Sequence, residues 1–325
     1  MTSIVLTNSY SDEVLEIVSA EAPEGFELIP AGLASDDEFS KMVSQADYML
    51  VGGRRKITRD LLAGATRLKM IQRSGVGLDM IDLDAVRDLG IPLRVNQGIN
   101  SQSVAEHTLM LMLACLKNLP QVNNDVHRGL WIRQPQGLKN HELAGSVVGI
   151  VGMGNIGKTL TTMLLAMGAK VEYFSVPRLE AEEEQALSLQ FKKLDDLFAS
   201  ADILSLHCPL TDETVQMVNA ERIARMRPDA ILVNTARGGL IDEEALYEAL
   251  ESRHIACAAL DVFAEEPPGK GNRLLELDNV IATSHIAGIT NESFRKMMRE
   301  AFRSIEEFHN ANGSKKMPRN TCCPK

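Results

Sequence analysis

A strand, a glycine-rich turn and the beginning of a helix can be seen in "VVGIVGMGNIGK", residues 147–158. The apolar residues at its start predict a buried strand. Gly152, Gly154 and Gly157 have the G-x-G-x-x-G spacing of a turn that binds the pyrophosphate of a dinucleotide. The alternative is a glycine-rich turn without a ligand, but the strand before the turn and the helix after it favour the dinucleotide site.

Each position in this turn has a physical role. Gly152 allows the tight turn, Gly154 lets the backbone approach a pyrophosphate, and Gly157 lets helix and strand pack closely. The N–H groups of Asn155 and Ile156 lie at the predicted helix N-terminus, where free donors and the helix dipole favour an anion. These five residues are the predicted phosphate-binding loop.

The same alternation of strand and helix extends on both sides of this loop. From Ser146 onward six apolar runs read as strands, which is the count of a doubly wound dinucleotide-binding domain. They are "SVVGIVG", "AKVEYFS", "ADILSLH", "AILVNTA", "IACAALDVF" and "NVIATS". Before residue 100 the runs "SIVLT", "YMLVG", "LKMIQRSG" and "IPLRVN" alternate with the helical segments "DEVLEIVSA", "TRDLLAGA" and "DLDAVRDLG".

The order of these segments predicts two α/β domains. A long helix is expected from Ser101 to Leu119, ended by Pro120. The last periodic segment, closed by Gly313, follows the final nucleotide-binding strand and is expected to return to the first domain. Residues 101–290 would then form a Rossmann domain. We expect this domain to be inserted in a smaller flavodoxin-like substrate domain of residues 1–100 plus 291–325. A cleft and a hinge are expected where the chain crosses between the two domains.

Composition narrows the class of protein. A chain of 325 residues favours two domains, and a net charge of -10 argues against nucleic-acid binding. The most apolar stretch, residues 104–116, is shorter than the roughly 20 residues of a membrane span. The N-terminal residues have no basic, apolar leader, so we expect a cytoplasmic protein with reduced cysteines. The cysteines and histidines lack metal-ligand spacing, and we assign no metal.

The second nucleotide-binding strand ends in "YFSVPR", residues 173–178. An acidic residue commonly stands there and accepts from the ribose hydroxyls of NAD. Ser175 removes the repulsion of a 2′-phosphate, and Arg178 supplies positive charge. The sequence therefore favours NADP(H), with NAD(H) possible. The alternative is an Arg178 that pairs with Glu180 or Glu182 in the acidic run beside it.

Three later stretches carry groups able to do chemistry. Arg237, Glu266 and His285 each follow a different predicted strand, and Asp261 lies directly after the strand that precedes Glu266. Ligands bind outside the carboxyl ends of parallel strands, so we expect these side chains to lie at one edge of the sheet.

At this point the chain resembles the D-isomer-specific 2-hydroxyacid dehydrogenase family. The resemblance rests on seven motifs in family order: "RSGVGLDMID", "SVAEHTLMLML", "GIVGMGNIGK", "HCPLTDETVQMVN", "NTARGGLIDEEAL", "LDVFAEEPP" and "SHIAGIT". It implies that Arg237, Glu266 and His285 are catalytic and that Asp261 holds the nicotinamide carboxamide. It also implies cofactor contacts from Val76, Cys208, Thr235, Ala236 and Gly288. A homodimer, formed through the helix from residue 101 and the arm with Trp131, is implied as well.

These residue types suit reduction of a 2-keto acid. His285 supplies a proton to the carbonyl oxygen near neutral pH, and an ionised Glu266 beside it favours the imidazolium form. Arg237 binds the substrate carboxylate through two N–H groups. A buried histidine and a plain Arg–Glu ion pair are the structural alternative for the same residues.

Substrate contacts are expected from the first domain, through the backbone of Ser74, Gly75, Val76 and Gly77 and the side chain of Arg54. We expect a hydroxypyruvate or glyoxylate-type reductase. One alternative is a short D-3-phosphoglycerate dehydrogenase. Another, of a different class, is a dinucleotide-sensing protein similar to the corepressors related to this family.

Overall fold

The computed structural model of the chain describes residues 1–53 and 55–313. These residues form two compact units. One comprises Met1–Asn100 together with the helix that begins at Asn291, and the other comprises Ser101–Thr290. None of the described helices combines the length and apolar character needed to cross a membrane.

The first unit contains a five-stranded parallel sheet in the order β2-β1-β3-β4-β5, which is the flavodoxin-like order. In chain order its elements are β1 (Thr2–Leu6), α1 (Asp12–Ala20), β2 (Phe26–Pro30), α2 (Asp36–Gln45), β3 (Tyr48–Val51), α3 (Arg59–Gly64), β4 (Met70–Arg73), α4 (Leu83–Asp88) and β5 (Leu93–Val95). The predicted fold class of this unit is confirmed.

Strand β2 and helix α2 were missed in the sequence because their apolar patterns are weak. Only Phe39 and Val43, one helical turn apart, are buried on α2. The helix begins instead with a polar signal: Ser35 and Glu38 cap each other's backbone N–H groups.

The second unit contains a seven-stranded parallel sheet in the order β12-β11-β10-β9-β6-β7-β8. Its elements are α5 (Ser101–Leu116), α6 (Leu119–His127), α7 (Arg133–Gly137), β6 (Val147–Val151), α8 (Asn155–Ala166), β7 (Lys170–Phe174), α9 (Ala181–Ala186), β8 (Gln190–Phe191), α10 (Leu194–Ser200), β9 (Ile203–Leu206), α11 (Ala220–Ile223), β10 (Ile231–Asn234), α12 (Glu243–Glu251), β11 (Cys257–Leu260) and β12 (Val280–Ala282). Reversal of the strand order at β6 is the Rossmann arrangement, as predicted.

Two details of this unit differ from the sequence prediction. The sheet has seven strands, not six, because the two-residue strand β8 pairs with β7 at the edge and is too short to show a pattern. The long helix ends at Leu116, not Leu119. Pro120 lies in the first turn of α6, where its missing N–H costs no hydrogen bond.

The last helix, α13 (Asn291–Gly313), belongs to the first unit. Its apolar face packs on β1, β3 and β4 through Met298, Phe302 and Ile305, all of which are buried. The chain therefore leaves the first unit, builds the second, and returns to complete the first unit's core.

Candidate active site

His285 and Glu266 form a direct pair in the second unit. The imidazole Nδ1 of His285 lies 2.7 Å from Oε2 of Glu266. The other carboxylate oxygen accepts a hydrogen bond from the backbone N–H of Phe263 at 3.0 Å, which fixes the carboxylate. The side chain of His285 is 42% exposed and that of Glu266 only 15%. Within the described part of the chain, Nε2 of His285 has no hydrogen-bond partner, so this nitrogen is available to a ligand.

Asp261 holds the backbone on which His285 is carried. The Asp261 carboxylate is buried, and it accepts hydrogen bonds from the N–H groups of Ile286 and Ala287 at 3.0 and 2.9 Å. The Thr283 hydroxyl donates to the same carboxylate. His285 itself has a left-handed backbone with φ 57°, a conformation that non-glycine residues adopt only when their surroundings enforce it.

Arg237 follows β10, the neighbour of β11, and its segment contacts the Glu266 loop through the backbone. A Cβ added at Gly238 would lie 1.9 Å from the carbonyl carbon of Phe263, so the two segments touch. Asn234 shapes the turn before it, since its side chain accepts from the Ala236 N–H at 3.0 Å and donates to the Arg237 carbonyl at 2.8 Å. The loops that carry the three predicted catalytic residues therefore follow three adjacent strands.

Three residues that support this site were missed in the sequence. Asn234 begins the motif "NTARGGLIDEEAL" and Thr283 directly precedes "SHIAGIT", so both could have been suspected from position alone. His107 lies within the motif "SVAEHTLMLML", but no local pattern gave it a role: it lies on α5, and its Nε2 is 3.1 Å from the Thr283 hydroxyl and 3.7 Å from Oδ1 of Asp261. Thr108, the next residue of α5, forms a hydrogen bond between its hydroxyl and that of the predicted cofactor residue Thr235, at 2.9 Å.

The three glycines of the predicted phosphate loop are needed for different reasons. Gly152 has φ 99°, and a Cβ there would lie 2.6 Å from the backbone N of Cys208. A Cβ at Gly157 would lie 2.4 Å from the carbonyl oxygen of Gly152. At Gly154 a Cβ would meet no described atom within 4 Å, and its φ is ordinary for any residue. The fold of the described residues therefore does not require glycine at 154. A pyrophosphate that lies against this backbone would require it, because a side chain there would occupy the same space.

The helix behind this loop is open at its N-terminus. Helix α8 begins at Asn155, and no side chain caps its first N–H groups. Uncapped donors at a helix N-terminus form an anion site, which suits a dinucleotide phosphate. The Ser175 hydroxyl, at the end of β7, accepts a hydrogen bond from the Met153 N–H at 3.3 Å and so borders the same loop.

Cys208 also borders the loop. Its thiol is partly buried 3.7 Å from the sulfur of Met217, and burial raises the pKa of Cys208 to about 11. Its neighbour His207 hydrogen-bonds Ser205 at 2.8 Å, and burial lowers the pKa of His207 to about 4. Both side chains are therefore uncharged at neutral pH. Gly288 and Ala236 lie in the loops after β12 and β10, at the same edge of the sheet.

Arg178 is engaged by a different acid from the two considered in the sequence. Its guanidinium forms two hydrogen bonds with Glu184, at 2.7 and 2.8 Å, and lies over the ring of Phe191. Arg178 and the hydroxyl of Tyr173 together lower the pKa of Glu184 to about 2. The expectation that Glu180 or Glu182 would be the partner is wrong, because Glu184 lies on the side of α9 that faces Tyr173.

The predicted substrate residues belong to the first unit. Ser74 follows β4 and donates to the Val51 carbonyl through its N–H at 3.0 Å, and Arg73 donates to the Gly77 carbonyl at 2.8 Å. These bonds hold the 74–77 loop, in which Gly75 is open and Val76 is 46% exposed. Arg54 lies outside the described residues. Whether these residues contact a substrate stays a prediction.

Known proteins are similar to this chain in sequence and in fold. Residues 109–287 match the family model described as "D-isomer specific 2-hydroxyacid dehydrogenase, NAD binding domain". A hydroxypyruvate reductase of Thermotoga maritima is 40% identical over 80% of this chain and 84% of its own length. A D-3-phosphoglycerate dehydrogenase of Methanocaldococcus jannaschii is 39% identical over 90% of this chain, which spans 55% of that protein.

A solved structure agrees with this fold across nearly the whole chain. It is an acyclic imino acid reductase in complex with NADPH and D-arginine. The TM-score is 0.84 at 27% identity, over 95% of this chain and 98% of that one.

The Rossmann unit and the histidine–carboxylate pair at its edge define a nicotinamide-dependent oxidoreductase. The chain belongs to the D-isomer specific 2-hydroxyacid dehydrogenase family. The resemblance, the enzyme class and the predicted reaction on D-2-hydroxy acids are thereby confirmed.

The different reasons for glycine at 154 and 157 make a matched pair of substitutions informative. We expect Gly154→Ala to leave Tm within about 2 °C of wild type and to raise the Kd for NADPH about tenfold or more, because the new methyl group would occupy the place predicted for the pyrophosphate. Gly157→Ala should lower Tm by several degrees, since its methyl group meets the Gly152 carbonyl.

Thermal unfolding and fluorescence titration with NADPH measure the two effects. Unchanged coenzyme affinity in Gly154→Ala would show that the pyrophosphate does not approach this turn.

Proposed function

We propose that this enzyme reduces a small 2-keto acid of the hydroxypyruvate or glyoxylate type, with NADPH as the favoured coenzyme. The His285–Glu266 pair carries the proposal. A histidine whose Nδ1 is held by a carboxylate, and whose Nε2 has no partner among the described residues, is placed to donate a proton from Nε2.

The proposed roles follow from these contacts. When bound, the nicotinamide supplies a hydride to the carbonyl carbon of the keto acid. His285 donates the proton that the carbonyl oxygen gains, and Glu266 keeps the ring oriented through its contact with Nδ1. Arg237 binds the substrate carboxylate and polarises the carbonyl. Asp261 acts at least as a positioning residue, because its carboxylate already holds the 285–287 turn.

We favour an unphosphorylated substrate over 3-phosphoglycerate. A phosphate requires a further cation, and within the described part of the 52–56 turn, which does not include Arg54, Arg55 is held by other groups: its guanidinium lies 4.2 Å from the centre of the Phe39 ring and donates to the Ala34 carbonyl. The Thermotoga relative, which this chain matches over most of its length, is a hydroxypyruvate reductase. A short D-3-phosphoglycerate dehydrogenase is the second candidate. It is supported by a relative of that name, of which this chain matches only 55% of the length.

Preference for NADPH rests on Ser175, which places a hydroxyl where a carboxylate would repel a 2′-phosphate. The similar imino acid reductase binds NADPH. Glu184 opposes this preference, because it neutralises Arg178. NAD(H) therefore stays the alternative coenzyme.

A homodimer is the proposed assembly. The segment from α6 to the residue after α7 exposes large apolar side chains, of which Trp131 is 81% exposed. The others are Leu119, Val126, Leu130, Ile132 and Leu138. Such a concentration of exposed apolar groups is typical of a protein–protein contact. The cytoplasmic location stays a prediction.

A panel of 2-keto acids assayed with NADPH and NADH tests the proposed reaction. We expect the highest kcat/KM with hydroxypyruvate or glyoxylate, and a loss of about 100-fold or more in kcat for His285→Ala with coenzyme affinity retained. A dinucleotide sensor would instead bind NADPH and turn over none of the acids. A clear preference for 3-phosphohydroxypyruvate would establish the second candidate.

The Glu266→Gln variant tests the role of the carboxylate. Glutamine keeps the size of the side chain but replaces the carboxylate oxygen that faces Nδ1 of His285 with an uncharged amide. The ring then loses the charged acceptor that fixes its orientation, so kcat for keto-acid reduction should fall about 100-fold or more, with coenzyme affinity retained. A kcat equal to that of wild type would mean that Glu266 does not act through His285.

The Glu184→Gln variant tests what limits the use of NADPH. Neutralising this side chain releases the Arg178 guanidinium, so the ratio of kcat/KM for NADPH over NADH should rise about three- to tenfold. Glu182→Gln, on the same helix and exposed, is the matched control and should leave the ratio unchanged. An unchanged ratio in Glu184→Gln, together with no selective loss in Arg178→Ala, would show that Arg178 does not contact the 2′-position.

A further inference from the structure

Two thiols meet where the strands of the Rossmann sheet begin, at the end opposite the predicted coenzyme loop. Cys115 lies near the end of α5 and Cys257 is the first residue of β11. Their sulfur atoms are 2.9 Å apart although the residues are 142 positions apart in the chain. Because a disulfide bond is about 2.05 Å long, the sulfurs need to approach by only about 0.9 Å to bond.

A cavity gives access to this pair. Its volume is about 750 Å³, and both cysteines line it where strands β9, β10 and β11 begin. Cys257 is partly exposed, whereas Cys115 is buried. The hydrogen bond to Cys257 and burial raise the pKa of the Cys115 thiol, so Cys115 stays protonated at neutral pH. Cys257 is therefore the thiol that a reagent in the cavity meets first.

Helix α5 and strand β11 cover nearly the same distance between the thiol pair and Asp261. From His107 to Cys115 helix α5 advances eight residues, or about 12 Å. From Cys257 to Asp261 strand β11 advances four residues, or about 13 Å. His107 approaches Asp261 at one end and Cys115 contacts Cys257 at the other, so a bond between the sulfurs joins elements that already pack together.

We propose that Cys115 and Cys257 are a modification site at which two-electron thiol oxidants form a reversible disulfide. With hydrogen peroxide, the Cys257 thiol gives its proton to solvent and its sulfur attacks one peroxide oxygen. The O–O bond breaks, and the departing hydroxide takes a proton from solvent and leaves as water, which produces a sulfenic acid. The Cys115 sulfur then attacks the Cys257 sulfur, its proton passes to the departing hydroxyl, and a second water leaves. Two thiols are oxidised by two electrons in total, and a dithiol reductant restores them.

A small uncharged oxidant suits the cavity best. Basic residues on its wall are balanced by acidic ones: Arg227 pairs with Asp202 at 3.0 Å, and the other charged groups of the lining are Lys139, Glu142 and Asp229. The cavity therefore offers no net attraction to an anion. Oxidised glutathione, a larger and charged disulfide, serves as the second oxidant in the test.

The experiment uses the full chain, reduced and freed of reductant, with Cys322→Ser and Cys323→Ser as background so that these two thiols cannot compete. After exposure to hydrogen peroxide, free thiols are alkylated and peptides are mapped without reduction. We expect the Cys115 and Cys257 peptides to be linked, two hydrogens lighter than their sum, and Cys208 in the same sample to be alkylated. Oxidised protein should unfold at a higher Tm than reduced protein, because the bond closes a long loop.

Single variants identify the order of the steps. Cys115→Ser should leave Cys257 as a sulfenic acid that dimedone captures, whereas Cys257→Ser should leave Cys115 alkylated. Linkage with either oxidant supports the proposal, and linkage with peroxide alone restricts the site to small oxidants.

The proposal is overturned if the background protein, with Cys115 and Cys257 intact, keeps both thiols free under peroxide that oxidises free cysteine. It is equally overturned if Cys257 proceeds to sulfinic acid without linkage. Neither readout depends on the substrate or coenzyme of the enzyme.

Discussion

The buried carboxylate of Asp261 is the group on which the active-site edge depends. It is 1% exposed, and its oxygens accept hydrogen bonds from the N–H groups of Ile286 and Ala287 and from the Thr283 hydroxyl. Removing a charge from water costs several kcal/mol unless hydrogen bonds replace the lost solvation. The turn that supplies these donors is therefore held closely, and with it the unusual backbone of His285.

A second carboxylate acts on the same histidine in a different way. Asp261 holds the backbone of the turn, whereas Glu266 holds the imidazole ring through Nδ1. The ring nitrogen that faces away from Glu266 is the one left for chemistry. Because Glu266 is itself fixed by the Phe263 N–H, and Phe263 packs against Gly238 beside Arg237, the three loops constrain one another. Neighbouring parallel strands place them at one edge, and backbone contacts set their distances.

Both edges of the Rossmann sheet carry chemistry, and helix α5 contacts each of them. His107 lies beside Asp261 where β11 ends, and Cys115 lies beside Cys257 where β11 begins. The predicted coenzyme loop lies at the first edge, where the N–H groups at the start of α8, which the N-cap side chain leaves uncapped, can donate to an anion. The thiol pair uses the second edge, where a cavity opens between the strand beginnings. One helix thus contacts the turn that carries His285 through His107 and forms half of the thiol pair through Cys115.

The sequence by itself determined the Rossmann and flavodoxin-like units, the phosphate-loop glycines and the edge of the sheet to which Arg237, Glu266 and His285 belong. Glycine spacing and apolar runs act over a few residues, and parallel strands bring their carboxyl ends together whatever the loops do. Weak patterns hid β2, α2 and β8. Only the tertiary structure decided that Arg178 pairs with Glu184, that His107 supports Asp261 and that Cys115 meets Cys257. These contacts join residues from separate elements, so their distances depend on how helices pack on the sheet, which no local pattern records.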